Sequence, residues 1–566
     1  MHVATIRRRH GERVYESHLI RRSVRVGDKV GHETIANVSK LPPAALEALR
    51  RALAGETLVS AEAAFAIERS LPHGHVAAVL AAARGLDLAR LLDRAPSREC
   101  SLVVAMLCQR VLQPGSKLAC TRQLQQSTLA EELSLGGVRS DELYAALDWL
   151  GERQAAIETR LARRHLRDGE LALYDLSSSY FEGRRCPLAA LGYSRDGRRG
   201  TPQIVYGLLT TRAGVPVAVQ VFDGATHDHQ TVPAQLETLQ RRFGLRELVL
   251  VADRGMVTRA NLDALRDTDG FGWITALKAP QVKKLATSGA LQLSLFDHTN
   301  LAEISSPDYP GERLVVCRNP LVGADRGRKR DALLQATEAE LTQIQQRVEH
   351  GTLVDAAAIG LAVGPALKRF RVKKHFTVQI DDGHFAFARK AEQIAAEAAL
   401  DGIYVLRTSL AADHLDRADV VRAYKQLKEV EKGFRALKGR DLEIRPIHHH
   451  LEPRVRAHVF LCLLAYYLEW HLRQAWRELT FTDERPPTRA DPVAKATRSA
   501  AAHTKATSKQ TTAGQPAHSY RSLLAELATH TRNTIHVSQT DASFSKLATP
   551  TPLQARALEL AAAITP

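Results

Sequence analysis

The chain has 566 residues, of which 45% are hydrophobic and 25% are charged. These fractions exclude a collagen-like, a mostly disordered or a disulfide-stapled protein, and the length suits about three to four folded domains. The 78 Lys and Arg residues against 62 Asp and Glu residues give a formal net charge of +16. A balance this basic favours a polyanionic partner, nucleic acid before a membrane surface.

Cysteine usage and the apolar runs predict a cytoplasmic protein without a membrane partner. The six cysteines include no CxxC pair, which argues against a structural zinc site and against a secreted disulfide framework. No apolar stretch follows Arg7–Arg9, so we expect no signal peptide. The longest apolar run, residues 459–468, is too short to cross a bilayer and is typical of a buried helix.

The first part of the chain predicts a small β module followed by a helical region. Residues 1–42 contain short alternating stretches around Gly27 and Gly31, a pattern typical of strands. Pro42 and Pro43 end this module. Residues 43–168 repeat Leu, Ala and Val at three- and four-residue spacing, which predicts helices.

Residues 169–480 predict an α/β domain. The strand-like segments LALYDLSSSYFEG and RELVLVADRG alternate with the helix-like segments TVPAQLETLQRRFG and TRANLDALRD, which implies a mixed sheet flanked by helices. Residues of about 280–400 differ in sequence pattern from the rest of the domain and are interpreted as an insertion. A strand over GIYVLRTSL and one long amphipathic helix over ADVVRAYKQLKEVEKGFRALKG follow. Residues 481–566 predict a basic linker and a short ordered tail.

Three carboxylates stand at informative positions of this domain. Asp175 and Asp253 each end an apolar strand, and Glu431 lies in the long helix. Sites in open α/β sheets form at the carboxyl ends of strands, and carboxylates without a Cys/His cluster suit Mg²⁺ or Mn²⁺. Taken singly, an Asp after a strand is more often a turn or capping residue.

The spacing around Glu431 predicts a functional helix face. Residues three, four and seven positions apart share one side of a helix, and a face with an acid, a Tyr and cations suits a site that holds a metal and grips phosphates. The alternative is a solvated charged helix, and Glu429 with its neighbouring lysines fits that alternative on another side. The residues predicted to share the functional face are Tyr424, Leu427, Glu431, Phe434, Arg435 and Lys438.

Several motifs resemble those of bacterial insertion-sequence DDE transposases of the insertion-sequence-four superfamily. YDLSSSYFEG resembles the first-Asp motif and VADRGM the second, while FDGATHDHQT resembles a Gly-Asn-Thr segment with Ala225 in place of Asn. Tyr424, Glu431 and Lys438 match the spacing of the helix that carries the Glu. Leu427 stands where the family has Arg, and Arg435 could substitute for it.

The resemblance implies an RNase H-like mixed sheet with a β-rich insertion before the Glu. It implies that Asp175, Asp253 and Glu431 bind two Mg²⁺ (or Mn²⁺) ions and catalyse cleavage and strand transfer of element DNA. Tyr424, Lys438 and Arg435 would then contact phosphates, and Arg254 would orient backbone or DNA.

The expected partners are the element ends and the target DNA, bound by a homodimer in the bacterial cytoplasm, with residues 1–165 recognising the ends. Two alternatives remain open at this point. One is a catalytically silent, transposase-derived DNA-binding protein, and the other is a metal-dependent nuclease without strand transfer.

Overall fold

The described residues form two compact units, each assembled from distant parts of the chain. The computed structural model describes residues 1–58, 61–254, 256, 261, 262, 265, 270–538 and 540–566. One unit contains residues 1–71 and 531–549, and the other contains residues 72–530 and 550–566. The first unit therefore extends beyond the predicted module of residues 1–42 and includes a hairpin from the C-terminal region.

The small unit contains two three-stranded sheets and confirms the predicted N-terminal β module. Strands β1 (His2–His10), β2 (Arg13–Val26) and β3 (Lys29–Asn37) form an antiparallel sheet in that order. Helices α1 (Pro43–Leu53) and α2 (Ala61–Ala64) follow. The second sheet joins β4 (Phe65–Pro72) to the hairpin of β15 (Thr531–Val537) and β16 (Ser543–Leu547), with β15 in the middle.

The helical region precedes the main sheet, as the Leu, Ala and Val spacing predicts. Its helices bury their apolar sides in the main core, where Leu107 and Leu147 are fully buried. The helices are α3 (Gly74–Gly85), α4 (Leu88–Leu92), α5 (Arg98–Leu112), α6 (Lys117–Gln123), α7 (Leu129–Glu132), α8 (Ser140–Glu152) and α9 (Gln154–His165).

An eight-stranded mixed sheet forms the centre of the large unit and confirms the predicted RNase H-like α/β class. The strands are β5 (Leu171–Tyr180), β6 (Gln203–Thr211), β7 (Pro216–Phe222), β8 (Leu248–Ala252), β9 (Phe271–Ala276), β10 (Leu301–Ile304), β11 (Arg313–Arg318) and β14 (Ile403–Thr408). Their order in the sheet is β10-β11-β14-β9-β8-β5-β6-β7. Pairing is parallel between β5 and β8 and between β8 and β9, and antiparallel elsewhere.

The region predicted as an insertion contributes both to the sheet and to a separate cluster. Strands β10 and β11 extend the main sheet. The elements of residues 320–398 enclose their own apolar core around Leu341, Ile359 and Phe385. The elements of this region are α11 (Ala279–Thr287), α12 (Pro320–Glu349), α13 (Ala356–Arg369), β12 (Phe376–Asp381), β13 (His384–Arg389) and α14 (Ala391–Ala398).

The predicted long helix around Glu431 is two helices. Helix α15 (Arg417–Lys425) ends at Gln426, and α16 (Leu427–Lys438) begins directly after it. The N–H of Gln426 donates to the carbonyl of Ala423, three residues back, so the last turn of α15 tightens and the two helices differ in phase. Helices α10 (Val232–Glu237) and α17 (Glu452–Ala475) complete the layers beside the sheet. The helix expected over 258–267 lies mostly outside the described residues.

The C-terminal region contains a helix where the composition predicts a basic linker. Helix α18 (Ala500–Ser508) lies in that segment, whereas α19 (Tyr520–Ala528) and α20 (Pro552–Ala562) lie in the two sequence segments expected to form an ordered tail. Lys505 of α18 is 2% exposed and donates to the carbonyls of Arg477 and Thr480. Composition misleads in the linker because this lysine is used in packing. Within the described ranges, no helix is long and apolar enough to cross a membrane.

Replacing Gly207 by Ala should destabilise the sheet beside Asp175. A Cβ at residue 207 would lie 2.2 Å from the Tyr174 hydroxyl and 2.7 Å from two of its ring carbons, and Tyr174 is fully buried. We expect Gly207→Ala to lower the free energy of unfolding by about 1–3 kcal/mol, measured by urea denaturation. The control is Gly360→Ala in α13, where a Cβ meets nothing within 4 Å and a gain of up to ~1 kcal/mol is expected. Equal effects of the two substitutions would contradict this packing.

Candidate active site

The register of β5 and β8 brings two of the three predicted carboxylates together. Tyr174 lies opposite Ala252 in the parallel pair, and the next residues are Asp175 and Asp253. Because neighbouring strands are about 4.8 Å apart and equivalent residues point to the same side, the two carboxylates are close neighbours. The expected strand end at Asp175 is wrong, because β5 continues to Tyr180 along its pairing with β6. Asp253 does follow the end of β8.

The pKa of Asp175 depends on the charges of the other two carboxylates. Burial raises the pKa of Asp175 to about 7, and a hydrogen bond from the Leu176 N–H (2.8 Å) opposes that shift. The negative charges of Asp253 and Glu431 also raise this pKa, while the positive charge of Arg195 lowers it. The three acids, far apart in the chain, therefore lie close enough for their charges to interact.

Packing of α16 against the sheet positions Glu431. Val430 and Leu437 are buried, and the ring of Phe434 lies 5.9 Å from that of Tyr206 in β6. A Cβ at Gly433 would lie 3.1 Å from Leu208, the residue that pairs with Asp175. Glu431 is exposed at the border of this buried side. The absence of a side chain at Gly433 lets the helix approach β6, the neighbour of the strand that carries Asp175.

The predicted single face around Glu431 is divided in the structure. Leu427 is 9% exposed and Phe434 is 7% exposed, so both are core residues, whereas Glu431 and Arg435 are exposed. The position where the family has Arg is therefore filled by a packing residue. Tyr424 lies on the preceding helix, α15.

Tyr424 and Arg254 lie beside Asp253. The Tyr424 hydroxyl donates to Oδ1 of Asp253 at 3.3 Å. Burial and the charge of Asp253 raise the pKa of Tyr424 far above its usual value, and the positive charge of Arg254 lowers it. Arg254 is exposed. Tyr424 thus stays neutral and orients the carboxylate.

Lys438 lies in a buried ion pair at the end of α16. Its Nζ is 2.9 Å from Oδ1 of Asp196, whose side chain is 1% exposed. Arg445 pairs with the same carboxylate, and the N–H of Tyr180 donates to its other oxygen at 3.1 Å. Lys438 therefore connects the helix of Glu431 to the loop between β5 and β6.

Comparison with known proteins identifies the family. A family model for the transposase DDE domain matches residues 190–468, which include Asp253 and Glu431 but begin after Asp175. A model for the N-terminal domain of the IS1634 family of transposases matches residues 3–65. The chain belongs to the bacterial insertion-sequence DDE transposases. No curated protein matches the sequence.

Among solved structures, the transposase is similar to a piggyBac transposase synaptic complex with hairpin DNA, determined by cryo-EM. The two chains are 8% identical, with a TM-score of 0.35, and the likeness covers 80% of this chain and 79% of the other.

Sequence reasoning missed three charged residues beside the carboxylates of this transposase. Arg195, whose charge acts on Asp175, forms an ion pair with Asp228, and its N–H donates to Oγ of Ser178 in β5 at 3.1 Å. The third is Asp196, the partner of Lys438. A signal was present, because Asp196 is the single acid in the arginine-rich segment YSRDGRRG.

The carboxylates fit a hard divalent cation in chemistry, but their side chains need to move to share one. Oxygen donors of this kind are the ligands that Mg²⁺ and Mn²⁺ prefer. Within the part of the chain that the structure describes, no three His, Cys, Asp or Glu side chains are grouped so as to hold a metal ion. Glu431 is exposed, so rotation of its side chain toward Asp175 costs little packing.

Removing the charge of Asp196 should destabilise the transposase. Asp196→Asn would leave Lys438, 11% exposed, beside Arg445 without a carboxylate. Breaking a buried pair from one side is costly, so we expect the free energy of unfolding to fall by about 3 kcal/mol, measured by chemical denaturation. Asp297→Asn, at an exposed position, is the matched control and should change stability by less than ~0.5 kcal/mol. A similarly small change for Asp196→Asn would show that the pair is not structural.

Proposed function

We propose that this transposase cleaves the DNA ends of its insertion sequence and transfers the freed 3′ ends to target DNA. The observation that supports this proposal is that the charges of Asp253 and Glu431 both act on Asp175, although the three acids are far apart in the chain. The net charge of +16 supplies the electrostatic complement to a DNA substrate.

Asp175, Asp253 and Glu431 would hold two Mg²⁺ or Mn²⁺ ions. When bound, such ions activate water at neutral pH and stabilise the leaving 3′ oxygen. Asp175 would take part in holding the ions together with both other acids, because the charges of both act on it. The hydrogen bond from Tyr424 to Oδ1 of Asp253 would help to orient this carboxylate.

The cations around the carboxylates would bind the phosphates near the cut. Arg254, which follows Asp253 in the chain, and Arg435, one turn after Glu431, are both exposed. We assign to Arg435 the phosphate contact that the family Arg would make at Leu427. Lys438 would reach a phosphate only by leaving Asp196, and while paired it fixes the end of α16.

We further propose that two copies of the chain act together on two element ends. Residues 1–165 would recognise those ends, while the carboxylates carry out the chemistry. Asp175, Asp253 and Glu431 all come from one chain, so each copy would hold a complete set of metal ligands. The homodimer would then serve to pair the ends rather than to complete a site.

Removing one carboxylate should abolish metal-dependent DNA cleavage. The substrate is a plasmid that carries the coding region with its flanking DNA, incubated with purified protein and Mg²⁺ or Mn²⁺. We expect Asp253→Asn and Glu431→Gln each to lower the cleavage rate by about a thousandfold or more, because each metal ion contributes several kcal/mol of charge stabilisation. Cleavage products are measured by gel electrophoresis and sequencing.

The matched control is Glu429→Gln on the same helix. Glu429 pairs with Lys432 at 2.9 Å and, two residues before Glu431, does not share its side of the helix, so this variant should cleave at the wild-type rate. If Asp253→Asn cleaves as fast as the wild type, Asp253 does not take part in the active site. Cleavage without joined products would favour a nuclease, and sequence-specific binding without cleavage would favour a silent DNA-binding protein.

A further inference from the structure

The register of the N-terminal sheet sorts its charged residues onto two faces. Arg8 lies opposite Tyr15, and His10 lies opposite Arg13. Arg25 lies opposite Val30 in the pair of β2 and β3. Because side chains alternate along a strand and paired residues share a side, four arginines project from one face. This arginine face carries Arg8, Arg13, Arg21 and Arg25.

The opposite face is partly neutralised by its own acids, because it carries Arg7, Arg9, Arg22 and Lys29 together with Glu16 and Glu33. Arg7 forms an ion pair with Glu16 at 2.5 Å, and Arg22 forms one with Glu33 at 2.6 Å. Both pairs are directly cross-strand.

Helix α1 also lies on the side away from the arginine face. Arg50 of α1 donates to Oγ1 of Thr5 at 3.0 Å, and Thr5 shares the face of Arg7 by alternation. That face therefore has two of its four cations paired with acids and is partly covered by α1.

The arginine face has no acid. Residues 1–37 contain four acids: Glu16 and Glu33 lie on the opposite face, and Glu12 and Asp28 lie in the two turns. Arg8, Arg13 and Arg25 are exposed. Within the described chain, none of these three arginines has a carboxylate at ion-pair distance.

Two exposed apolar side chains lie between these arginines. Tyr15 is 56% exposed and Val30 is 64% exposed, and each stands directly across from an arginine of the face. Large exposed apolar groups inside a cationic surface suit a ligand that offers both phosphates and apolar base edges, such as the thymine methyl group.

The shape of the sheet also suits a DNA groove. β2 has 14 residues and is about 46 Å long at 3.3 Å per residue. β1 pairs with residues 13–21 of β2, and β3 pairs with residues 19–26, so both ends of the sheet are two-stranded ribbons. The major groove of B-DNA, about 12 Å wide, admits a two-stranded ribbon.

We propose that the arginine face is a duplex-DNA docking surface, on which the arginines bind phosphates while Tyr15 and Val30 face the base edges. The proposal rests on the proposed function only in taking DNA as the partner of this chain, and it is independent of the metal site. Its particular claim is that binding uses one side of the sheet and not the other.

The test compares two double variants of the full chain that remove the same charge from opposite faces. Arg8→Gln/Arg25→Gln alters the arginine face, and Arg7→Gln/Arg22→Gln alters the paired face. Binding to a fluorescein-labelled 30-base-pair duplex is measured by anisotropy at several salt concentrations in EDTA, so that no cleavage occurs. Thermal unfolding of each variant checks that the sheet is intact.

We expect Arg8→Gln/Arg25→Gln to weaken binding about ten- to hundredfold at 0.1 M salt and to reduce the salt slope, d log K/d log[salt], by about 2 in magnitude. Arg7→Gln/Arg22→Gln should change the affinity less than about threefold, because its arginines are already paired. Arg8→Lys/Arg25→Lys keeps both charges and should restore the wild-type salt slope.

Equal losses from the two faces, or no loss from either, would overturn the proposal. Failure of the Lys variant to restore the salt slope would also overturn it, because the effect would then not be electrostatic. If both double variants lose binding equally and the wild-type protein still cleaves DNA, the docking surface is wrong and the proposed function stands. If binding depends on the arginine face and no metal-dependent cleavage is found, the docking surface stands and the proposed function is wrong.

Discussion

Where β5 and β8 pair in parallel, Tyr174 of one strand lies opposite Ala252 of the other, and each strand continues into an aspartate. Two like charges at neighbouring positions repel, and burial of one of them adds to the cost. The transposase accommodates both charges by different means. Asp175 has a pKa raised to about 7 and accepts a backbone hydrogen bond, while Asp253 is exposed and accepts a hydrogen bond from Tyr424. A cation shared by the two would relieve the same repulsion, so the strand register itself favours a metal site.

The third acid depends on how closely a helix can approach this pair. Gly433 lets α16 lie against Leu208, and the pair of Lys438 with Asp196 fixes the far end of the helix. The core around Leu341 and Phe385 is separate from the main core, so much of the long segment before Glu431 is stabilised by its own packing. The position of Glu431 is therefore set by contacts to the sheet and to neighbouring loops rather than by the length of chain that precedes it.

The sequence was sufficient to predict what depends on local pattern and insufficient for what depends on packing. The apolar runs before Asp175 and Asp253 predict the two strands, because buried strands need continuous apolar residues. Helical spacing alone did not separate Leu427, which packs in the core, from Glu431, which is exposed. Both lie on α16 at a spacing of four residues, and packing against the sheet decides which of them is buried. The burial of Lys505 could not be read from a basic, Ala-rich segment. The pairing of β4 with a hairpin from residues 531–547 joins parts of the chain that no local signal connects.

The central claim is that Asp175, Asp253 and Glu431 share metal ions, and anomalous scattering from a crystal soaked in Mn²⁺ tests it most directly. The account predicts two anomalous peaks about 3.5–4 Å apart, with oxygens of Asp175 near both peaks and Asp253 and Glu431 completing the ligands. No peak among these side chains, or a peak held by one of the three acids while the other two point elsewhere, would contradict it.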